Sequence, residues 1–134
     1  MEVNGKVQVD DLTQAGGGSA VLSALGVLTT VSSSIRYKEN VRGYEEVLGK
    51  LMQLEPVRFT WKANTATPGM DDFGFIAEDV HKIIPDMTTY EKDGKTIRGV
   101  KYEKLPILLI KAIQQQQKEI GELKARLAKL EMAQ

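Results

Sequence analysis

The chain has 134 residues, a mass of 14.8 kDa and equal numbers (18 each) of basic and acidic side chains. That length predicts one ordinary domain, or one small domain with an elongated attachment, and the zero net charge disfavours nucleic acid as a partner. There is no cysteine and a single histidine, His81, which excludes disulfide scaffolds, cysteine sites and, within one chain, a histidine metal site or Ser-His-Asp triad. No apolar run approaches the roughly 20 residues of a membrane span, and the N-terminus lacks a basic stretch followed by an apolar one, so neither a membrane partner nor a signal peptide is expected.

The charged residues of 1–32 all lie within its first eleven positions, and residues 12–32 carry none. Asn4-Gly5 between Val3 and Val7 reads as a hairpin turn. Gly16-Gly17-Gly18 and two β-type stretches, around Val21-Leu22 and Val27-Leu28, follow. The expectation is a short β-rich or extended segment with little core of its own, which needs neighbouring chains to bury its apolar side chains. A disordered tag or linker is the plainer reading.

Residues 33–104 read as a small globular domain. Val41, Tyr44, Leu48 and Leu51 recur at helical spacing, which predicts an amphipathic helix beginning after an Asn40 N-cap and stopped by Pro56. Val57, Phe59 and Trp61 alternate with Arg58, Thr60 and Lys62, predicting a strand with one buried face. Residues 63–72 (ANTATPGMDD) predict a loop. Phe73-Gly74-Phe75-Ile76 predicts a short buried strand leading into a helix over Glu78–Ile84 ended by Pro85. Asp93-Gly94 separates Thr88–Glu91 from Thr96–Val100 and predicts a hairpin.

Residues 105–134 predict a long helix with a heptad pattern: Ile113, Ile120 and Leu127 at a; Leu109, Gln116, Leu123 and Leu130 at d. Glu119 (g) faces Lys124 (e) of a partner, and Arg126 (g) faces Glu131 (e). Both pairs are opposite in sign, as a parallel in-register homo-oligomer requires. Three heptads are marginal alone, so the oligomer is expected to be held elsewhere too, and Gln116 suggests a polar register lock. The alternative is a single helix packed on its own domain. The expected class is therefore α+β: a mixed helix/strand domain followed by a long coiled-coil helix, behind a short β-rich segment.

At the join of the first two parts stands Ser32-Ser33-Ser34-Ile35-Arg36-Tyr37-Lys38-Glu39-Asn40-Val41. By itself this is a serine cluster followed by a basic stretch, which usually means a solvated loop. The spacing Ser33-x-x-Arg36-x-Lys38-x-Asn40-Val41, however, resembles the Ser-Asp-x-Arg-x-Lys-x-Asn-Ile signature of the peptidase S74 family, the self-cleaving C-terminal intramolecular chaperone of phage tailspikes, endosialidases and neck or tail fibres. Three further blocks match in order: Pro56–Trp61, Gly74–Val80, and Gly99–Leu105 leading into Leu108–Gln114. The similarity spans about residues 32–130.

The resemblance implies a homotrimeric chaperone that assembles three fibre chains in the host cytoplasm during virion assembly, then cuts itself free with a Ser-Lys dyad. Carried over by position, Ser33 is the nucleophile, Lys38 the general base, and Arg36 and Asn40 are supporting residues. The cut falls between Ser32 and Ser33. Residues 1–32 would then be the end of the mature fibre, which stays on the virion, 33–104 the chaperone and protease, and 105–134 the coiled coil. The partners implied are two further copies and the upstream fibre; no cofactor or metal is implied. One position departs from the signature: Ser34 stands where the family has aspartate.

The chemistry has physical requirements of its own. Serine is a poor nucleophile until a base takes its proton. A lysine of ordinary pKa, about 10.4, is almost wholly protonated at pH 7, and burial or nearby positive charge must favour the neutral amine. A fall of about three units is worth about 4 kcal/mol, so such a site must be built by folding. Arg36 could supply positive charge or bind a carboxylate. Ser33 and Lys38 are five residues apart, about 500° around a helix or roughly 16 Å along an extended chain. Either a tight turn joins them or Lys38 comes from a neighbouring chain. His81 reads as structural or exposed. The spacing of Asp71, Asp72, Glu78 and Asp79 fits no calcium loop. A non-cleaving trimerisation or tip module retained on a fibre, and a coiled-coil adaptor, are the competing functions.

Overall fold

A computed structural model describes residues 33–133, together with the backbone of 20–22 and 28–30. The chain divides into two compact units, Met1–Gly43 and Tyr44–Gln134. In the first, β1 (Ala20–Leu22) pairs antiparallel with β2 (Leu28–Thr30), Val21 opposite Thr29. The Asn4-Gly5 turn, Gly16–Gly18, Val27 and Ser32 lie outside the described residues.

The second unit is mixed helix and strand with a long C-terminal helix. Its elements are α1 (Leu48–Leu51), β3 (Val57–Thr60), β4 (Asp71–Gly74), α2 (Ala77–Ile83), β5 (Thr88–Tyr90), β6 (Ile97–Val100) and α3 (Leu105–Met132). β3–β4 and β5–β6 form two separate antiparallel two-stranded sheets. The core joins α1, α2 and the first half of α3: Val47, Val80, Ile84, Met87, Leu108 and Ala112 are buried, with Leu48, Leu51, Phe75, Val100 and Leu105 packed against them. Each sheet is too small to bury a face alone, so the helices carry the packing.

The helix expected after Asn40 does not start there. Asn40 adopts the left-handed region, φ 54°, which breaks a right-handed helix instead of capping one. Val41 and Tyr44 are exposed, and only the single turn Leu48–Leu51 forms. Its N-cap, Val47, has no capping side chain of its own. Instead Gln115 Oε1, from α3, accepts from the amides of Val47 (2.7 Å) and Leu48 (3.0 Å).

β3 follows the expected alternation only as far as Thr60, with Val57 and Phe59 half-buried and Arg58 and Thr60 exposed; Trp61, expected on the buried face, lies past the end of the strand and is exposed, its indole nitrogen bonded to Asp72. β4 lies two residues earlier than expected and is not buried. Its register puts Phe73 opposite Arg58; opposed residues share a face, so Phe73 stands on the outer face, 74% exposed. Asp71 and Asp72, expected in the loop, are strand residues. Asp71 Oδ1 accepts from Thr60 Oγ1 (2.6 Å), and Asp72 Oδ2 from Trp61 Nε1 (3.2 Å).

α2 runs one residue ahead of the expected span and gives way to a 3-10 turn starting at Pro85. His81 at its end is structural: Nδ1 lies 2.9 Å from Thr88 Oγ1, and the ring meets Tyr90 edge-on. Thr88 Oγ1 donates to the Pro85 carbonyl at 2.8 Å. The β5–β6 hairpin turns at Gly94 (φ 67°). There the Thr96 hydroxyl donates to Asp93 and, with the amides of Lys95 and Thr96, holds its carboxyl below the usual carboxylate range.

Candidate functional site

The Ser33–Asn40 segment forms a compact turn. Ser34 is extended (φ −64°, ψ 140°) and caps a one-turn 3-10 helix, Ile35–Tyr37, its hydroxyl accepting from the Arg36 amide at 3.4 Å. The Tyr37 amide donates to the Ser34 carbonyl (3.1 Å) and the Lys38 amide to the Ile35 carbonyl (3.0 Å). Lys38 then leaves in an extended conformation. This turn shortens the five-residue separation enough for Lys38 Nζ to donate to Ser33 Oγ at 2.8 Å. Of the two geometries open to the sequence, the structure contains the tight turn within one chain.

Neither Arg36 nor Asn40 hydrogen-bonds to the side chains of the pair. The Arg36 guanidinium sits over the Tyr37 ring, 4.8 Å from its centroid. Asn40 turns the chain through its left-handed backbone, a conformation asparagine tolerates better than most residues, and its carbonyl accepts from Arg42 Nη1 at 3.3 Å. Ser33 through Lys38 are all exposed. A hydroxyl and an amine at hydrogen-bond distance can exchange a proton in either direction. With the amine neutral, the same 2.8 Å contact serves a hydroxyl donating to nitrogen, the arrangement that generates a serine nucleophile.

The heptad residues occupy one stripe of α3. Leu109, Ile113, Ile120, Leu123, Leu127 and Leu130 are 44–67% exposed, and Gln116 is exposed among them. A second stripe, Leu105, Leu108, Ala112 and Gln115, packs on the helix's own domain. Both arrangements considered for this helix therefore have a face available, and the apolar heptad stripe lies uncovered in the single chain.

Two features escaped sequence reasoning. Tyr102 OH accepts from the Phe75 amide (2.9 Å), and its ring stacks on Phe75. A Cβ on Gly74 would lie 2.6 Å from that hydroxyl. The hydroxyl thus ties the Gly74–Val80 block to the Gly99–Leu105 block, a pairing no local signal announces. Beside it opens a groove of about 460 Å³ whose walls include Phe59, Trp61, Phe73, Ile76 and Tyr102. Among the described residues, no three His, Asp or Glu side chains converge as a metal-binding group, and no helix is long and apolar enough to cross a membrane.

The turn thus holds one serine hydroxyl and one lysine amine at hydrogen-bond distance, in a chain whose larger unit is a small mixed domain with a long C-terminal helix. Residues 33–89 match the peptidase S74 family model, described as the chaperone of endosialidase, and the family resemblance read from the sequence holds for that segment. The match begins at Ser33 and covers the first three signature blocks; it supports a chaperone role. No curated protein matches the chain.

Proposed function

We propose that this chain is an intramolecular chaperone that trimerises through α3 and its globular domain, folds the fibre or tailspike to which residues 1–32 belong, and then releases itself by a single autoproteolytic turnover. The observation that carries this reading is the 2.8 Å contact between Lys38 Nζ and Ser33 Oγ at the first residue of the family match. In the step proposed, Lys38 accepts the Ser33 hydroxyl proton and Ser33 Oγ attacks the carbonyl carbon of Ser32, in its own chain or a neighbour's. The Ser32–Ser33 C–N bond breaks, the leaving nitrogen takes the proton from Lys38, and an ester links Ser32 to the hydroxyl. Water then hydrolyses that ester, leaving a Ser32 carboxylate and a free Ser33.

A lysine base needs burial or neighbouring positive charge to favour its neutral amine, and the pair is exposed in the single chain. The reading assigns that burial to neighbouring protomers, so cleavage waits for assembly. The work is done in the host cytoplasm, with the mature fibre continuing to the virion. The exposure of the pair also favours a second reading, a non-cleaving trimeric module retained on the fibre.

Intact-mass measurement of the purified chain separates the two. The proposal expects a fragment beginning at Ser33, lost in Ser33→Ala and in Lys38→Arg, since a guanidinium does not give up its proton at accessible pH. Cleavage of Ser33→Ala at the same bond would overturn the assignment. An uncut wild-type trimer would establish the retained module.

A further inference from the structure

We infer that Ser34 is a positioning residue for the Ser33–Lys38 pair, acting through its side chain as the cap of the turn that brings the two together; the inference rests on the autoproteolytic reading. Lys38 reaches Ser33 only because Ile35–Tyr37 closes one 3-10 turn between them. That turn is short, exposed and without a buried residue, so packing does not hold it. It is held by backbone bonds from Tyr37 to Ser34 and from Lys38 to Ile35, by the Arg36–Tyr37 stacking, and at its open end by Ser34 Oγ on the Arg36 amide. The first amides of a helical turn have no partner inside it, and a serine oxygen in the extended N-cap conformation supplies one.

Ser34 does not touch the reacting atoms in this arrangement. Its backbone joins Ser33 to the turn and its side chain fixes how the turn begins, so it sets the direction in which Ser33 Oγ points relative to Lys38. Aspartate is an N-cap of the same rank, and a carboxylate accepts from an amide more strongly than a hydroxyl does. Serine in place of the aspartate of the resembling signature therefore keeps the cap and loses only its charge. The departure does not disable the site.

Two measurements test this. The first is the cleavage rate of the full chain by intact mass, for wild type, Ser34→Ala, Ser34→Asp and Ser34→Thr. Ser34→Ala is expected to slow cleavage about fivefold, the equivalent of about 1 kcal/mol for a lost N-cap, with the fragment still beginning at Ser33. Ser34→Asp should cut at least as fast as wild type, and Ser34→Thr should recover most of the rate. The second is hydrogen exchange of the Arg36 amide in the uncut Ser33→Ala chain, which should quicken when Ser34→Ala is added and slow again with Ser34→Asp. Wild-type rate in Ser34→Ala, or a Ser34→Asp chain as slow as Ser34→Ala, overturns the inference while leaving the dyad intact. An Arg36 amide indifferent to Ser34 overturns it as well. Should wild type stay uncut, the amide responding as expected would sustain the cap, and the autoproteolytic reading alone would fail.

Discussion

Replacing Gln115 with alanine should cost the domain about 2 kcal/mol, although Gln115 is one of four successive glutamines on a helix with long exposed faces. Its Oε1 is the acceptor for two amides, those of Val47 at 2.7 Å and Leu48 at 3.0 Å. Val47 is 1% exposed, so water cannot reach its amide without opening the core. A buried donor left unpaired costs about 1–3 kcal/mol. Leu48 is only half-buried, and its amide can recover part of its loss from solvent, which places the sum near the middle of that range. Against a stability of about 5–15 kcal/mol for an ordinary domain, the change is easily measured. Urea unfolding followed by Trp61 fluorescence suits it, at one fixed protomer concentration because assembly adds to apparent stability. Gln115→Glu keeps the acceptor and adds negative charge at the start of α1, which the helix dipole favours, so it should stay within about 0.5 kcal/mol of wild type. Gln114→Ala, at an exposed position one residue away, is the control for helix composition. A Gln115→Ala chain no less stable than Gln114→Ala would refute the view that α3 caps α1.

Leu123→Asp places a charge in the exposed heptad stripe, away from the residues that pack on the domain; sedimentation equilibrium should show the proposed trimer weakened relative to wild type while fluorescence reports a folded domain, and a wild-type trimer left unchanged by the substitution would remove the seam from the proposed assembly. Gly74→Ala should destabilise by about 1–3 kcal/mol, because its Cβ would meet Tyr102 OH at 2.6 Å. Gly74→Ala combined with Tyr102→Phe should lose less than the two single changes added together, and strict additivity of the unfolding free energies would contradict the contact.

What could be read in the sequence was what short-range physics decides. The alternation of Val57–Thr60, the Asp93-Gly94 turn and the unbroken run of α3 each follow from local pattern, and each element formed close to its expected place. The helix after Asn40 failed because apolar spacing says which residues could share a face, not whether the backbone before them can turn. Asn40 in the left-handed region ended that possibility, and the remaining turn of helix depends on Gln115, 68 residues from Val47. Phe73 failed for a related reason: a phenylalanine in a strand is expected inside, but cross-strand register fixed its face and Arg58 opposite claimed the solvent side. At the candidate site, the residues alone read as a solvated loop, and the resemblance to the family signature pointed to Ser33 and Lys38. The distance between them required knowing that Ser34 starts a 3-10 turn, which a serine before Ile-Arg-Tyr signals only weakly.

The two faces of α3 bear on how folding and assembly are ordered. Leu105, Leu108, Ala112 and Gln115 fix the first half of the helix to its own domain, so that half is ordered once the domain folds. From Gln116 to Met132 the helix continues with its apolar stripe exposed, about 25 Å of helix at 1.5 Å per residue. An isolated helix of that length is marginal in water, but its nucleation has already been met by the packed half, and only propagation remains. The stripe is therefore presented on a helix that points in a direction set by the folded domain. Chains whose domains are unfolded offer no such helix. In the proposed chaperone this order has a consequence: three stripes can meet in register only after three domains have folded, and the exposed Ser33–Lys38 pair gains neighbours only after that meeting. A protease acting on its own chain needs such an order, because a cut made before assembly would separate the fibre from the domain that assembles it.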